Sequence, residues 1–561
     1  MKKRLVIVGG VAGGAACATR ARRLSEDTEI IVFDRGPYIS FANCGLPYRI
    51  GEVVGREEDL ILATPELFKD LFNIDVRVNS LVRSIDRGRR EIEVENTSTG
   101  QTYRQRYDAL VLSTGSKPIR PNLKGINLPG IFTLRDIPDM RRIIEWVKKR
   151  FLENVAIVGG GYIGLEMAEN LKKHGAQVTI IEMEEHLMPV LDPEMAAFVQ
   201  EHLEAHGITL YLGSRVCGFE PLPEDRISVN IKSGTSVSAD LVVLSMGVRP
   251  EVALAQKAGL DIGELGGILV DDHMRTSDAQ IWAVGDAVQV KDFIFGVQRL
   301  VPLAGLANKQ GRIAAEAILG RGPSFPEFRG AQATAVCGAL GLTVAMTGAT
   351  EKFIRKLGPE NEFSDYEKIY LHPPSHPLYY PETAPIHIKL VFSTQDGRIL
   401  GAQAVGQSGV EKRIDVISTL IQKNGTIFDL EEAELCYSPQ YSTPKDPLNL
   451  AGMVAGNVFK GYFSVVHWEN LEKSDAVILD VRHPDAFAQG HVNGAVNIFL
   501  NKLLRERFAE LPKEREIWAY CMEGERSYYA ARILQHHGYK AKNISGGYWM
   551  YQAFKKANQV A

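Results

Sequence analysis

The run Gly159-Gly160-Gly161-Tyr162-Ile163-Gly164 follows the apolar stretch NVAIV and opens a segment of helical periodicity, EMAENLKKHG. In a strand-turn-helix of this kind the first glycine allows the tight turn. The second lets the backbone approach a pyrophosphate, and the third lets the helix pack on the strand. The phosphates then lie at the helix N-terminus, where unpaired N–H groups and the helix dipole favour negative charge. Gly159, Gly161 and Gly164 are therefore expected to bind a cofactor. Glu182, eighteen residues after Gly164 at the end of the next apolar run, is placed to accept hydrogen bonds from ribose hydroxyls. Met183, Glu184 and Glu185 offer no cation for a 2′-phosphate, so NADH is expected rather than NADPH.

A second unit of the same kind stands at the N-terminus. RLVIV leads into Gly9, Gly10, Ala12 and Gly14, with Val11 at the central glycine position. A helix-like stretch then runs to Leu24, and EIIVF ends at Asp34, twenty residues beyond Gly14. A later segment, TSDAQIWAVGDAV, supplies Asp286 where the ribityl and phosphate groups of a flavin need a polar anchor. Two glycine turns plus this segment point to FAD together with NADH. The runs YDALVLSTGSKP and DLVVLSMGVRPE read as further strands whose small-residue ends line the ligand crevice.

With 561 residues, 45% of them apolar and 24% charged, the chain is long enough for three or four globular domains. Its 64 basic and 68 acidic side chains leave a net charge of -4 with no dense basic block, which argues against a nucleic-acid partner. The six cysteines form no C-x-x-C pair, so neither a disulfide framework nor a metal site is expected. No apolar run approaches the roughly 18 residues of a membrane span, and Lys2-Lys3-Arg4 before LVIVGG reads as the start of a strand rather than a leader. A cytoplasmic protein without membrane contact is expected. The fold class is α/β, with two Rossmann-like domains for FAD and NAD, an α+β dimerisation domain and a small C-terminal α/β domain. The expected limits are 1–112 and 251–324 for the two parts of the FAD domain, and 113–250 for the NADH domain. The dimerisation domain is expected at 325–452, a linker at 453–462 and the last domain at 463–561.

Over residues 1 to about 450 this arrangement resembles the pyridine nucleotide-disulfide oxidoreductase superfamily. The string SFANCGLPY, residues 40–48, resembles the active-site segment of its coenzyme A-disulfide reductase branch, which uses one cysteine, here Cys44, in place of a C-x4-C pair. A lone thiol beside a flavin closes no internal disulfide, so its oxidised form is a mixed disulfide, a persulfide or a sulfenic acid. Arg20 and Arg23, three residues apart on the first glycine-turn helix, share a face that can meet phosphates. The resemblance assigns that face, with Ser40 and Asn43, to a coenzyme A substrate. A lysine used further on by some members is replaced here by Phe72. The segment LCYSPQYSTPKDPLNLAG resembles the branch's C-terminal signature, in which a tyrosine from a partner subunit approaches the active cysteine. Tyr437 matches it, Tyr379 or Tyr380 is a second candidate, Lys445 lies near the coenzyme, and a homodimer is implied.

The last hundred residues resemble a rhodanese domain. LDVRHPDAFAQGHVNGAVNI carries Asp480, Arg482, Gly490 and His491, and AYCMEGERSYYAARIL carries Cys521, Gly524, Arg526 and Ser527. The strand IWAY delivers Cys521 into a loop, CMEGER, that opens a helix. Successive N–H groups can then surround the sulfur and favour its anion. Cys521, with Arg526 in the loop, is expected to carry sulfane sulfur. Glu523 and Glu525 oppose a dianionic donor such as thiosulfate. Joined to the lone thiol of Cys44, this domain implies NADH-dependent reduction of coenzyme A persulfide, polysulfide or coenzyme A disulfide. The alternatives are an NADH oxidase or peroxidase, whose relatives usually carry a histidine at the position of Ala12, and a non-catalytic persulfide-sensing sulfur carrier.

Overall fold

The computed structural model describes residues 3–320 and 326–558. The chain divides into two compact units, Met1–Ile180 with Val216–Ala333, and Ile181–Arg215 with Thr334–Ala561.

In the first unit five strands form one sheet in the order Ile281–Ala283, Ala109–Leu112, Arg4–Val8, Glu29–Phe33 and Asp75–Arg77, each pair parallel. The strands read as unbroken apolar runs because helices cover both faces of such a sheet. Leu5, Val6, Ile7, Leu110, Val111 and Leu112 are all fully buried. On one face the helices Ala12–Leu24 and Ala304–Leu319 pack backbone to backbone. A Cβ on Gly311 would stand 2.2 Å from the Gly13 carbonyl oxygen, so only glycine permits that approach. A second sheet holds Asn154–Val158 and Leu241–Leu244 in parallel register, flanked by Gln177–Ile181 and Ile131–Phe132. The short antiparallel pair Ser116–Pro118 with Val248–Pro250 ties the segments that leave the two sheets.

The second unit contains a five-stranded antiparallel sheet in the order Ala335–Ala339, Leu342–Gly348, Ile399–Gly406, Ile386–Ser393 and Tyr366–Leu371. A parallel sheet follows, in the order Val465–Val466, Ala541–Ile544, Ile517–Tyr520, Val477–Asp480 and Val496–Asn497. This small C-terminal domain is docked on the antiparallel sheet. The Tyr370 backbone N–H donates to Ser545 Oγ at 2.9 Å, His372 Nε2 meets the Gly546 carbonyl at 3.0 Å, and Lys368 Nζ donates to Glu469 at 2.8 Å. Burial of that charged and ring-bearing face makes the domain part of the unit, not a tethered appendage.

Where the sequence suggests a linker at 453–462, the helix Pro447–Phe459 runs through its first seven positions. The physical reason is packing. Gly452 lies so close to the neighbouring helix that a Cβ would meet the Glu431 backbone nitrogen at 2.3 Å, and Asp446 with Asn449 caps the helix start in a reciprocal pair. The expected boundary at 324–325 lies outside the described residues. Residues 181–215, expected inside the NADH domain, associate with the second unit.

Candidate functional site

In the first glycine turn Gly9 has φ +98°, and a Cβ on Gly14 would stand 1.8 Å from the Gly9 oxygen. The Gly10 N–H donates to Asp34 Oδ2 at 2.9 Å, and Ala12 is the first residue of the helix. No side chain caps the N-terminus of that helix, so its leading N–H groups face the turn. Asp34 also accepts from Gly36, and burial pushes its carboxyl above the ordinary range. Asp286 accepts from Ser116 Oγ at 2.8 Å and is likewise raised by burial. The Arg135 guanidinium lies within electrostatic reach of both acids. Burial lowers its pKa, and its Nη1 is buried with no hydrogen-bond partner among the described residues. A buried, unpaired guanidinium N–H beside two glycine-turn acids fits the phosphates and hydroxyls of a flavin dinucleotide, although no sequence motif singled out Arg135.

The second turn has the same logic. A Cβ on Gly159 would stand 2.4 Å from the Ser245 oxygen, and one on Gly164 would stand 2.1 Å from the Gly159 oxygen. Gly161 has nothing within 4 Å of that position, and it begins a helix with no side-chain cap. Open space over backbone at a helix start is where a pyrophosphate fits. Glu182 follows the strand Gln177–Ile181; it is buried and accepts from the Glu184 N–H at 2.9 Å.

Cys44 occupies a one-turn helix, Asn43–Gly45, and is exposed. Ser40, in a left-handed conformation at φ 48°, donates its N–H to the Gly10 carbonyl at 2.9 Å. Ala42 and Leu62 bond across to Leu60 and Ser40, so the segment is pinned to the glycine turn at one end and to a neighbouring strand-like stretch at the other. The thiol donates weakly to Asn43 Oδ1 at 3.9 Å. Its pKa is raised, first by the surrounding protein and then by the carboxylates of Glu166 and Asp286. Glu166 accepts from Tyr48 at 3.2 Å and is itself raised by burial. Sequence reasoning missed Glu166, because its link to Cys44 spans more than a hundred residues. Cys44 forms no disulfide, and Cys17 and Cys337 are buried in apolar surroundings. Cys217 and Cys436 are exposed, which their apolar sequence neighbours do not suggest.

Arg20 pairs with Glu316 at 2.8 Å, whereas Arg23 is exposed and makes no ion pair among the described residues. Between them the buried Arg22 binds the carbonyls of Phe72, Asn73, Ser25 and Glu26, which is a structural role.

In the second unit Tyr379 and Tyr437 are exposed and come together with hydroxyl oxygens 3.5 Å apart. Tyr380 instead packs edge-on against His376, and Lys445 is exposed. Cys521 lies at the floor of its loop, 2% exposed, with Sγ accepting from the Gly524 N–H at 3.1 Å and from Ser527 Oγ at 3.5 Å. Gly524, at φ +105°, starts the helix Glu525–His536, so the loop is shorter than CMEGER and Arg526 stands exposed in the first helical turn. Gly546 and Gly547 close behind the loop, where a Cβ on Gly547 would stand 2.6 Å from the Cys521 oxygen. Arg482 is buried in a two-oxygen pair with Asp480 and stacks on Tyr548 at 4.0 Å. Glu523, in the same loop, is raised by burial and by Glu525.

A third cluster was not legible in the sequence. Asp192, Glu194 and Glu351 bring their carboxylates within 4.8 Å of one another, and Lys389 Nζ stands among them at 2.5–2.7 Å. The ammonium takes the place a metal cation would hold.

Residues 3–311 match the family of pyridine nucleotide-disulphide oxidoreductases. Residues 335–446 match its dimerisation domain, and residues 466–553 match the rhodanese-like domain. The chain is 34% identical over 456 residues to an NADH oxidase of Methanocaldococcus jannaschii, covering 80% of this chain and 97% of the relative. It is 32% identical over 453 residues to a coenzyme A disulfide reductase of Staphylococcus haemolyticus, covering 81% and 99%. Two solved structures span both parts. Reduced Bacillus anthracis CoADR-RHD is 42% identical with a TM-score of 0.94, covering 99% of this chain and 98% of that one. A NAD-dependent persulfide reductase from A. fulgidus is 36% identical with a TM-score of 0.90, covering 98% and 100%. From its glycine turns to its single exposed active-segment cysteine, the chain belongs to the pyridine nucleotide-disulphide oxidoreductase family, with a rhodanese-like domain at its C-terminal end.

Proposed function

We propose that the protein uses NADH to reduce coenzyme A persulfide, polysulfide or coenzyme A disulfide at Cys44, and that Cys521 transfers sulfane sulfur. The observation that carries this reading is the exposed, unpaired Cys44 in a segment anchored on the first glycine turn, in a chain alike over nearly its whole length to a persulfide reductase. Gly9, Gly10, Ala12, Gly14, Asp34 and Asp286 would hold FAD, with Arg135 added from the structure. Gly159, Gly161, Gly164 and Glu182 would hold NADH. FAD, when bound, supplies two-electron transfer between NADH and an oxidised sulfur.

The step assigned to this chain's own atoms is thiol exchange. Cys44 thiolate attacks the coenzyme-bound sulfur of a persulfide, the S–S bond breaks, a Cys44–coenzyme A mixed disulfide forms and hydrosulfide leaves. With coenzyme A disulfide the leaving group is the coenzyme thiolate. Two electrons and one proton return the mixed disulfide to Cys44 thiolate and coenzyme thiol. Burial, Glu166 and Asp286 all favour the neutral thiol of Cys44, and they would oppose the thiolate that this step needs. Arg23, Ser40, Asn43 and Lys445 are the proposed contacts to the coenzyme. Arg20 joins them only by giving up part of its pairing with Glu316. Tyr437, with Tyr379 hydrogen-bonded to it and Tyr380 nearby in sequence, would serve as proton donor to a leaving thiol from a second subunit. The match to the dimerisation domain supports such a homodimer.

At Cys521 the Gly524 N–H and the Ser527 hydroxyl donate to the sulfur at the start of a twelve-residue helix, and this cradle is the proposed seat of the sulfane sulfur. Arg526 and the acidic Glu523 and Glu525 would select the donor. The domain limits inferred above, apart from the linker at 453–462 and the placing of 181–215, and a cytoplasmic location belong to the same reading. No helix among the described residues is long and apolar enough to cross a membrane.

The deciding experiment is anaerobic NADH consumption by the FAD-loaded protein with coenzyme A persulfide, coenzyme A disulfide, or neither, beside an aerobic control. Turnover with persulfide that releases sulfide and is lost in Cys44→Ser is the expected result. Fast oxidation of NADH by oxygen alone, with no gain from either sulfur substrate, would establish the oxidase reading that the M. jannaschii relative represents.

A further inference from the structure

In the second unit the helix Val410–Gln422 carries Arg413, which is 1% exposed and so holds its charge inside the fold. Its guanidinium pairs with Asp446, Nη2 to Oδ2 at 3.1 Å, and Lys412 Nζ stands 3.9 Å from the same carboxylate. The same fork reaches two loops. Nη2 lies 3.1 Å from the Ser375 carbonyl on one, and 3.4 Å from the Tyr441 carbonyl and 3.2 Å from Ser442 Oγ on the other. Ser442 Oγ in turn donates to Asp446 Oδ2 at 2.5 Å. A planar guanidinium with donors in fixed directions sets the relative place of the groups it binds, which a single ammonium does not.

Those two loops carry the tyrosine pair. From Ser375 the chain runs four residues to Tyr379, and the loop closes on itself. The Ser375 N–H donates to the Ala384 carbonyl at 2.8 Å, Thr383 Oγ1 to the His376 carbonyl at 2.8 Å and the Tyr380 N–H to the Pro377 carbonyl at 2.9 Å. From Tyr437 the chain runs four residues to Tyr441, through a turn in which the N–H groups of Tyr441 and Ser442 donate to the Ser438 carbonyl at 2.8 and 3.1 Å. Each loop is tied internally, so its root fixes where its tyrosine stands. Both tyrosines are exposed, and their hydroxyl oxygens meet 3.5 Å apart. We propose that Arg413 is a positioning residue that holds Tyr379 and Tyr437 hydroxyl to hydroxyl by binding the roots of both loops. Its part in the reaction rests on the reading of Tyr437 as proton donor given above: as the S–S bond breaks, the leaving thiolate takes the Tyr437 proton, and the phenolate recovers one from solvent.

Coenzyme thiol is a weaker acid than hydrogen sulfide, so its release gains more from a positioned proton donor. The FAD-loaded full chain, reduced with stoichiometric NADH, is mixed with coenzyme A disulfide or coenzyme A persulfide. The first release of coenzyme thiol or hydrosulfide is timed in wild type, Arg413→Lys, Ser442→Ala and Tyr437→Phe. In parallel, 3-fluorotyrosine in place of Tyr437 is titrated by fluorine NMR. The hydrogen bond with Tyr379 raises the Tyr437 phenol, so Tyr379→Phe marks the change that loss of the pair produces. Arg413→Lys keeps a cation opposite Asp446 but loses the fork. It is expected to slow coenzyme thiol release about tenfold and hydrosulfide release less than about threefold, and to lower the fluorine titration midpoint as Tyr379→Phe does. Ser442→Ala, which frees the Tyr437 side alone, shows the same pattern in smaller measure and decides the question where Arg413→Lys does not fold. An unmoved fluorine titration in both variants overturns the proposal. Equal slowing of both releases overturns it too, since that marks loss of fold and not of position. If Tyr437→Phe alters neither release, the proton-donor reading falls, and the fluorine titration by itself then decides whether Arg413 holds the pair.

Discussion

His372 and His387 face each other with their Nδ1 atoms 2.7 Å apart. His372 Nε2 lies 3.0 Å from the Gly546 carbonyl, which only accepts, so the Nε2–H form is the one present. Since both rings are neutral, His372 Nδ1 accepts and His387 Nδ1–H donates. One imidazole pair thus connects the antiparallel sheet to the backbone that closes behind Cys521.

The pair makes stability depend on acid. Burial pushes His387 down to about 4, and burial plus His387 pushes His372 well below its ordinary value of 6.5. The unfolded chain takes up protons near that ordinary value while the folded chain refuses them. Stability is therefore intact above it and lost as pH falls through the window below it. Between about pH 7 and about pH 5 the two groups together account for a loss of about 2–4 kcal/mol. Denaturant midpoints of the wild type and of His372→Gln/His387→Gln, measured at both pH values, test this; equal slopes would refute it.

Glu166→Gln is expected to lower the pKa of Cys44, because that carboxylate is one of the groups that raise it. The pH profile of Cys44 alkylation by iodoacetamide should shift toward lower pH. A shift toward higher pH, or none, would mean that the carboxylate does not act on the thiol.

Cys44→Ser is expected to lower NADH-dependent persulfide reduction by about three orders of magnitude, whereas Cys521→Ser removes mainly sulfur transfer. Equal loss of the reductase activity in both variants would instead require obligatory passage of sulfur through Cys521.

The two glycines of the second turn should separate binding from folding. Gly164→Ala places a Cβ 2.1 Å from the Gly159 oxygen and is expected to destabilise by about 1–3 kcal/mol. Gly161→Ala meets nothing, so thermal stability should hold while KM for NADH rises. Comparing thermal melts with KM for the two variants checks the assignment, and an unchanged KM in Gly161→Ala would remove the pyrophosphate from this turn.

Lys389→Met would leave Asp192 and Glu194 buried without their cation and Glu351 with only Lys368 and Arg355. Breaking a buried ion cluster this way costs about 3–5 kcal/mol, seen as a lower denaturant midpoint. A variant as stable as the wild type would show that the three carboxylates share protons instead.

The sequence by itself determined the parts whose physics is local. Gly14 and Gly164 are demanded by contacts with Gly9 and Gly159 of their own turns, and Gly9 and Gly159 by the positive φ of those turns, so strand, turn and helix are legible from spacing alone. Cys44 and Cys521 are legible for the same reason, since each sits in a short turn whose own residues leave it unpaired or donate to it. The tertiary structure decided what depends on distant partners. Arg135 beside Asp34 and Asp286, Glu166 near Cys44, Lys389 among three acids and His372 against Gly546 join residues far apart in the chain. No periodicity records such pairs, because burial and charge act through space. The helical continuation through Phe459 belongs with them: local composition allows a linker there, and packing against the Glu431 backbone makes a helix.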